Sequence, residues 1–261
     1  MQRLPQVLQN QQLQPALITV VTAIADGCRD IARQISRGAL AGVLGAAGAE
    51  NVQGEEQKKL DVIANDILKS LLQAEPTVRA LASEEEEYIV PANADGRFLV
   101  AFDPLDGSSN VDINGTVGTI FSIFDVPGAT PVVEADFLRP GRQQVAAGYV
   151  LYGPSVILVL TAGQGVQMYT LDQLAGEFIR TVDRVAVPVE TKEFAINMSN
   201  HKYRRFCYSF DTMKNYREAM NSFMGQDYSK LKKTNEFFAR HYPWWCPPKW
   251  KELRYELIWR A

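Results

Sequence analysis

The chain has 261 residues, 46% of them apolar and 22% charged, a make-up of ordinary globular proteins that leaves room for one large domain or two modest ones. Its net charge of −3 excludes a generally basic, nucleic-acid-like surface, and no run of about 18 uncharged apolar residues is there to span a membrane. Three scattered cysteines form no disulfide framework and the opening "MQRLPQVLQNQQLQP" has no apolar signal core, which together predict a cytoplasmic protein.

In chain order, the polar stretch "QNQQLQP" reads as a frayed start. In "ALITVVTAIADGCRDIARQISRG" the apolar positions Leu17, Val21, Ile24, Cys28, Ile31 and Ile35 step by three and four, which predicts an amphipathic helix closed by Gly38. "LDVIANDILKSLL" repeats the pattern through Leu60, Ile63, Ile67 and Leu71 and sets Asp61 and Asn65 together on another face. Strand-like runs follow: "FLVAF", "GTIFSIF", "VAAGYVLY", "SVILVLT", "VQMYTL" and "RVAVPV", each bounded by Gly, Pro or Asp. Because Pro104 disfavours helix at Asp103, the first of these is expected to end there in a turn. Two helices followed by many strands predict an α+β layered domain.

The charge is unevenly spread. Residues 201–261 hold 13 Lys and Arg against 6 Asp and Glu, whereas residues 1–200 hold 14 against 24. All four tryptophans and both histidines also fall in the last 61 residues, so a domain boundary is expected near Asn200.

Three acidic segments in the first part point to chemistry. "FDPLDGSSN" carries Asp103 and Asp106, "LASEEEEYIV" carries Glu84 to Glu87, and "GEEQKKLDVIAN" carries Glu55, Glu56 and Asp61. Carboxylate oxygens suit hard cations such as Mg²⁺, and several must converge because each supplies little charge. A divalent cluster accepts phosphate in turn, helped by amides and hydroxyls of Gly107, Ser108 and Ser109. Taken singly, the glutamate run reads as a solvated face, the Asp-Pro and Asp-Gly pairs as turn formers and Asp61 as surface decoration. The combination favours metal-assisted phosphoryl chemistry, although spacing does not by itself establish convergence.

"DPLDGSSN" resembles the signature of the magnesium-dependent, lithium-sensitive sugar and inositol phosphatases. "GEEQKKLDVIAND", "LASEEEE", "FDPLDGSSNVDINGTVGTIFSIF", "LRPGRQQVAAGYVLYGPS" and "FAINMSN" narrow the resemblance to the class I fructose-1,6-bisphosphatases, from about Leu17 to Asn200. The resemblance implies a sugar-phosphatase fold whose second α/β half is truncated or replaced here. It implies Glu84, Asp103, Asp106 and the Leu105 carbonyl as ligands of Mg²⁺ (or Mn²⁺), with Glu55 on a loop that approaches the metals. Asp61 and Glu85 fall at positions that activate the attacking water; Asp106 to Ser109 embrace the 1-phosphate and Asn197 contacts the 6-phosphate. The implied reaction is in-line hydrolysis of fructose 1,6-bisphosphate in sugar metabolism of gluconeogenic or Calvin-cycle type, with sedoheptulose 1,7-bisphosphate the second substrate candidate. A homo-oligomer, tetrameric in the family, is implied as well.

Two departures qualify this. Where the family's AMP site uses small hydroxylated residues and a Lys-Tyr pair, this chain has "QPALIT" and Arg97-Phe98, so the phenol hydroxyl is missing. After Asn200 the family's phosphate-binding Arg and Tyr residues, sugar-binding Lys and last metal-ligating Glu are not found in order. "ELRYELIW" is only superficially similar, and no role passes to Glu256. His201, Cys207, His241 and Cys246 fit no familiar zinc spacing, and the basic, aromatic tail contains no recognisable nucleic-acid module. It reads as a divergent, spliced or frame-disrupted terminus. Two functions therefore stay open: a magnesium-dependent bisphosphatase, or a catalytically impaired homologue that binds metal or associates with full-length subunits.

Overall fold

A computed structural model describes residues 2–42, 45–50, 56–128 and 131–186. Its first helix, α1 (Leu4–Asn10), has only seven residues, too few to be stable alone. It forms because Leu4, Val7 and Leu8 are buried, worth roughly 1.5–3 kcal/mol each before ordering is charged against them. The Gln6 side chain also accepts the Arg3 amide at its N-terminus (3.2 Å). The polar segment 9–15 is thus not a frayed start; docking of Leu4, Val7 and Leu8 converts it into the exposed connection between two helices. The second of these, α2 (Pro15–Arg37), buries the expected stripe from Leu17 to Ile31 and ends at Gly38, whose φ of 47° lies in the left-handed region.

Two short strands, β1 (Ala46–Glu50) and β2 (Glu56–Lys58), pair with each other and lead into α3 (Lys59–Ala74). The deepest face of α3 is Leu60, Ala64, Leu68 and Leu72, one position round from the expected stripe, with Ile63 and Ile67 packed at its margin. Asp61 and Asn65 are buried beside that face, which overturns the reading of Asp61 as surface decoration.

The remaining strands are β3 (Val78–Ser83), β4 (Val90–Pro91), β5 (Phe98–Asp106), β6 (Val117–Asp125), β7 (Gln144–Tyr152), β8 (Val156–Thr161), β9 (Val166–Asp172) and β10 (Glu177–Val185). They build one sheet in the order β10-β9-β8-β7-β6-β5-β3-β4, antiparallel throughout except for β3 beside β5. The α+β layered expectation is met: a large apolar cluster joins the helices to one sheet face, and Ala80, Leu99, Ala101, Phe124 and Phe137 form a smaller cluster on the other. The strand expected at "RVAVPV" begins earlier, at Glu177, and the end of that motif lies outside the described residues. No turn interrupts the chain at Asp103. Strand β5 runs on through Pro104 to Asp106 because its pairing with β6 slips there. Among the described residues no helix is long and apolar enough to cross a membrane.

Candidate active site

Parallel pairing of β3 with β5 brings the carboxyl ends of two strands side by side, with Ser83 opposite Phe102. The chain leaving β3 stays attached, since the Glu84 amide donates to the Phe102 carbonyl (3.1 Å). Glu84 and Asp103 therefore meet at the ends of adjacent parallel strands, where open sheets present their ligand sites.

Asp103 is only 6% exposed, and its carboxylate accepts the Leu105 amide at 2.9 Å. Burial first, then the charge and hydrogen bond of Glu84, then the charge of Asp106, push its pKa up to about 10 against the opposing Leu105 amide. Asp103 thus resists ionisation unless a cation offsets the charge it would bury. Asp106 stands at the rim where β5 ends; its carboxyl is raised too, because partial burial outweighs the Gly107 amide. Asp61 lies in the first turn of α3. Its Oδ2 accepts the Lys58 amide (2.8 Å), while Oδ1 is buried with no hydrogen-bond partner. Burial raises its pKa and the Glu84 charge adds to this, partly offset by the Lys58 amide and the Ser108 hydroxyl.

Behind these groups lies a network that the sequence did not reveal. Asn65 accepts from the Ser83 hydroxyl (2.8 Å) and donates to Glu86 (2.8 Å), which Lys69 also contacts at 2.6 Å. Ser83 Oγ in turn accepts the Glu85 amide (3.3 Å). This ties α3 to the Glu84–Glu87 turn. Its only sequence signal is an asparagine one helical turn after Asp61. Gly107, at φ 76°, turns the chain into a short 3₁₀ segment, Ser108–Ile113, leaving Ser109 exposed and Ser108 half-buried.

The structure thus brings Asp61, Glu84, Asp103, Asp106 and Ser108 within electrostatic reach of one another. Glu85 and Leu105 neighbour them in the chain. Glu55 and Asn197 lie outside the described residues, as does residues 201–261 with its expected boundary. Among the described residues no three acidic, His or Cys side chains close to metal-ligand geometry. The donor chemistry nonetheless fits a hard divalent cation: oxygen ligands only, a carboxylate pair needing positive charge, and an orphaned Asp61 Oδ1 beside it. At the position of the family's Lys-Tyr pair, Arg97 is engaged by Asp125 (Nε–Oδ1 2.8 Å) and lies over the buried Phe98 ring.

Residues 3–183 match the family model "Fructose-1-6-bisphosphatase, N-terminal domain". Fructose-1,6-bisphosphatase class 1 of Shewanella amazonensis is 58% identical over 203 residues, which are 78% of this chain and 63% of that protein. The corresponding protein of Idiomarina loihiensis is 46% identical over 272 residues, covering 100% of this chain and 83% of its own length. The holo crystal structure of Leishmania major fructose-1,6-bisphosphatase superposes with a TM-score of 0.72 at 33% identity, over 81% of this chain and 70% of that one. The chain accordingly spans less than two thirds of the Shewanella relative's length. Fold and sequence agree, and the chain belongs to the class 1 fructose-1,6-bisphosphatase family.

Proposed function

We propose that this chain hydrolyses the 1-phosphate of fructose 1,6-bisphosphate with the help of Mg²⁺ or Mn²⁺. The observation that carries the reading is the meeting of Glu84 and Asp103 at the ends of parallel strands, beside Asp61 and the Gly107–Ser109 turn. Glu84, Asp103, Asp106 and the Leu105 carbonyl are the groups that would hold the ion, with Glu55 approaching from its loop. A bound divalent ion supplies charge neutralisation on the phosphate and lowers the pKa of a bound water. Asp61 and Glu85 activate the attacking water, one of them taking its proton. Its oxygen forms the new bond to phosphorus as the bond to the sugar oxygen breaks, and that oxygen takes up a proton. The Gly107 amide and the hydroxyls of Ser108 and Ser109 orient the 1-phosphate, and Asn197 the 6-phosphate. We also propose a cytoplasmic homo-oligomer, on the scattered cysteines and on family likeness.

A second reading, an impaired homologue that binds metal without efficient turnover, rests on residues 201–261, where the family's phosphate-binding Arg and Tyr residues and last metal-ligating Glu are not found in order. Phosphate release from fructose 1,6-bisphosphate by the purified full chain, with and without Mg²⁺, separates them. Metal-dependent release supports the first reading, and none at any Mg²⁺ concentration refutes it.

A further inference from the structure

Asp103 and Asp106 are three residues apart, and in a regular strand that spacing puts two side chains on opposite faces. The pairing of β5 with β6 cancels this. Asp103 stands opposite Ile120 and Asp106 opposite Gly118, so three steps on β5 answer two on β6. The extra residue is a bulge in which Pro104 and Leu105 together face Thr119. Core membership agrees: Phe102 and Leu105, also three apart, belong to the same helix-facing cluster, while Leu99 and Ala101 belong to the opposite one. The bulge is what allows both aspartates to serve one site.

A central strand with a proline loses a ladder donor and needs something to hold it. Here the Thr119 hydroxyl donates to the Pro104 carbonyl at 2.8 Å. That spends its one proton, so the Tyr152 hydroxyl, 2.7 Å away, must donate to Thr119 Oγ1. Thr119 is 0% exposed and Tyr152 3%, so no water competes for either bond. Cys28 of α2 is buried against the same two hydroxyls, and its thiol is pushed up to about 11, chiefly by burial.

We propose that Thr119 and Tyr152 are positioning residues of the phosphatase site: their hydrogen-bonded pair pins the Pro104–Leu105 bulge and thereby sets Asp103 and Asp106 on one face of the sheet. The consequence for metal rests on the function proposed above; the pinning of the bulge does not. Neither residue touches the reacting atoms. Both act through the backbone between the two aspartates.

The test uses the full chain with Thr119→Val, Thr119→Ser and Tyr152→Phe, probed by Mg²⁺ titration calorimetry and by hydrogen exchange of the Leu105 and Asp106 amides without metal. Thr119→Val is expected to weaken Mg²⁺ binding about tenfold or more, the range for groups that orient ligands. The same variant should speed Leu105 and Asp106 exchange beyond that of the sheet as a whole. Thr119→Ser, which keeps the hydroxyl, should restore both. Tyr152→Phe should shift them in the Thr119→Val direction and carries the test if Thr119→Val does not fold. Thr119→Val matching the unaltered protein in affinity and exchange would overturn the proposal, as would Thr119→Ser behaving like Thr119→Val. If the unaltered protein binds no Mg²⁺, the functional reading fails, and Leu105 exchange alone still decides whether Thr119 pins the bulge.

Discussion

Asp103 is a buried acid whose ordinary charge state the fold opposes. Its pKa is raised in the folded chain, so below the unfolded value both states are protonated and nothing is lost. As pH climbs toward the raised value, folding must either retain the proton or bury a second charge beside Glu84, and stability falls. The metal-free protein should therefore melt at progressively lower temperature from pH 5 to pH 9, and Mg²⁺ should flatten or reverse the slope; calorimetric scans with and without metal check this. Asp103→Asn keeps the acceptor for Leu105 and removes the repulsion. It should stabilise the metal-free protein by roughly 1–3 kcal/mol while abolishing the Mg²⁺-induced rise in melting temperature. A variant that still responds to Mg²⁺ like the parent would remove Asp103 from the ligand set. Asn65, 5% exposed, is the opposite case, a neutral group with both ends satisfied. Asn65→Ala leaves the Ser83 hydroxyl and Glu86 short of a partner and should cost about 1–3 kcal/mol in urea unfolding.

Among the elements, the inner strand β7 has no room for a side chain at Gly148. A Cβ on Gly148 would stand 2.5 Å from the Val159 carbonyl and 2.9 Å from the Phe121 ring, and the first of these is backbone that does not swing aside. Gly148→Ala should therefore lower stability by about 1–3 kcal/mol, the range for overpacked cores. Loss of less than a few tenths would mean that β7 and β8 separate more easily than their register implies. The same strands show what was legible beforehand. α2 announced itself by its period, and the strands from β5 to β9 by apolar runs bounded by Gly, Pro or Asp. β3 did not: in "VRALAS" Arg79 is buried, held by the Val126 carbonyl (3.0 Å), so tertiary contact overrides the pattern. The continuation of β5 through Pro104 was hidden for a similar reason. A proline signals a stop, and only the distant Thr119 hydroxyl, unreadable from local sequence, makes it a bulge. In the site, the acidic residues were visible as charge in apolar surroundings. Asn65 was visible only as a neighbour of Asp61 on the helix, and Thr119 and Tyr152 not at all, because a single polar residue in an amphipathic run carries no mark of its partner.

At the scale of the whole molecule, the 203 residues that match the Shewanella relative make up 63% of that protein. A bisphosphatase uses the remote phosphate as a handle, and binding energy there is what positions the reacting phosphate. The family resemblance carries over only Asn197 for that remote pocket, and no last metal-ligating glutamate. The reacting end is a different matter, with Asp61, Glu84 and Asp103 already gathered around the strand ends. On the second reading the outcome is a split: Mg²⁺ binding retained, turnover of fructose 1,6-bisphosphate well below the roughly 10 per second of a typical enzyme. Discrimination against fructose 1-phosphate should be less than about tenfold in kcat/KM, because a phosphate that touches little contributes little. The alignment with the Idiomarina protein, which runs over the entire chain, argues the other way. If residues 201–261 do supply cationic groups to the remote phosphate, the bisphosphate will be preferred by a hundredfold or more, as about 3 kcal/mol of phosphate binding would give. In that event Lys202, Arg204 and Arg205 are the first to replace, and their loss should collapse the preference while leaving hydrolysis of the monophosphate unchanged. Measuring kcat/KM for the two sugars side by side distinguishes a severed remote pocket from one rebuilt by the tail.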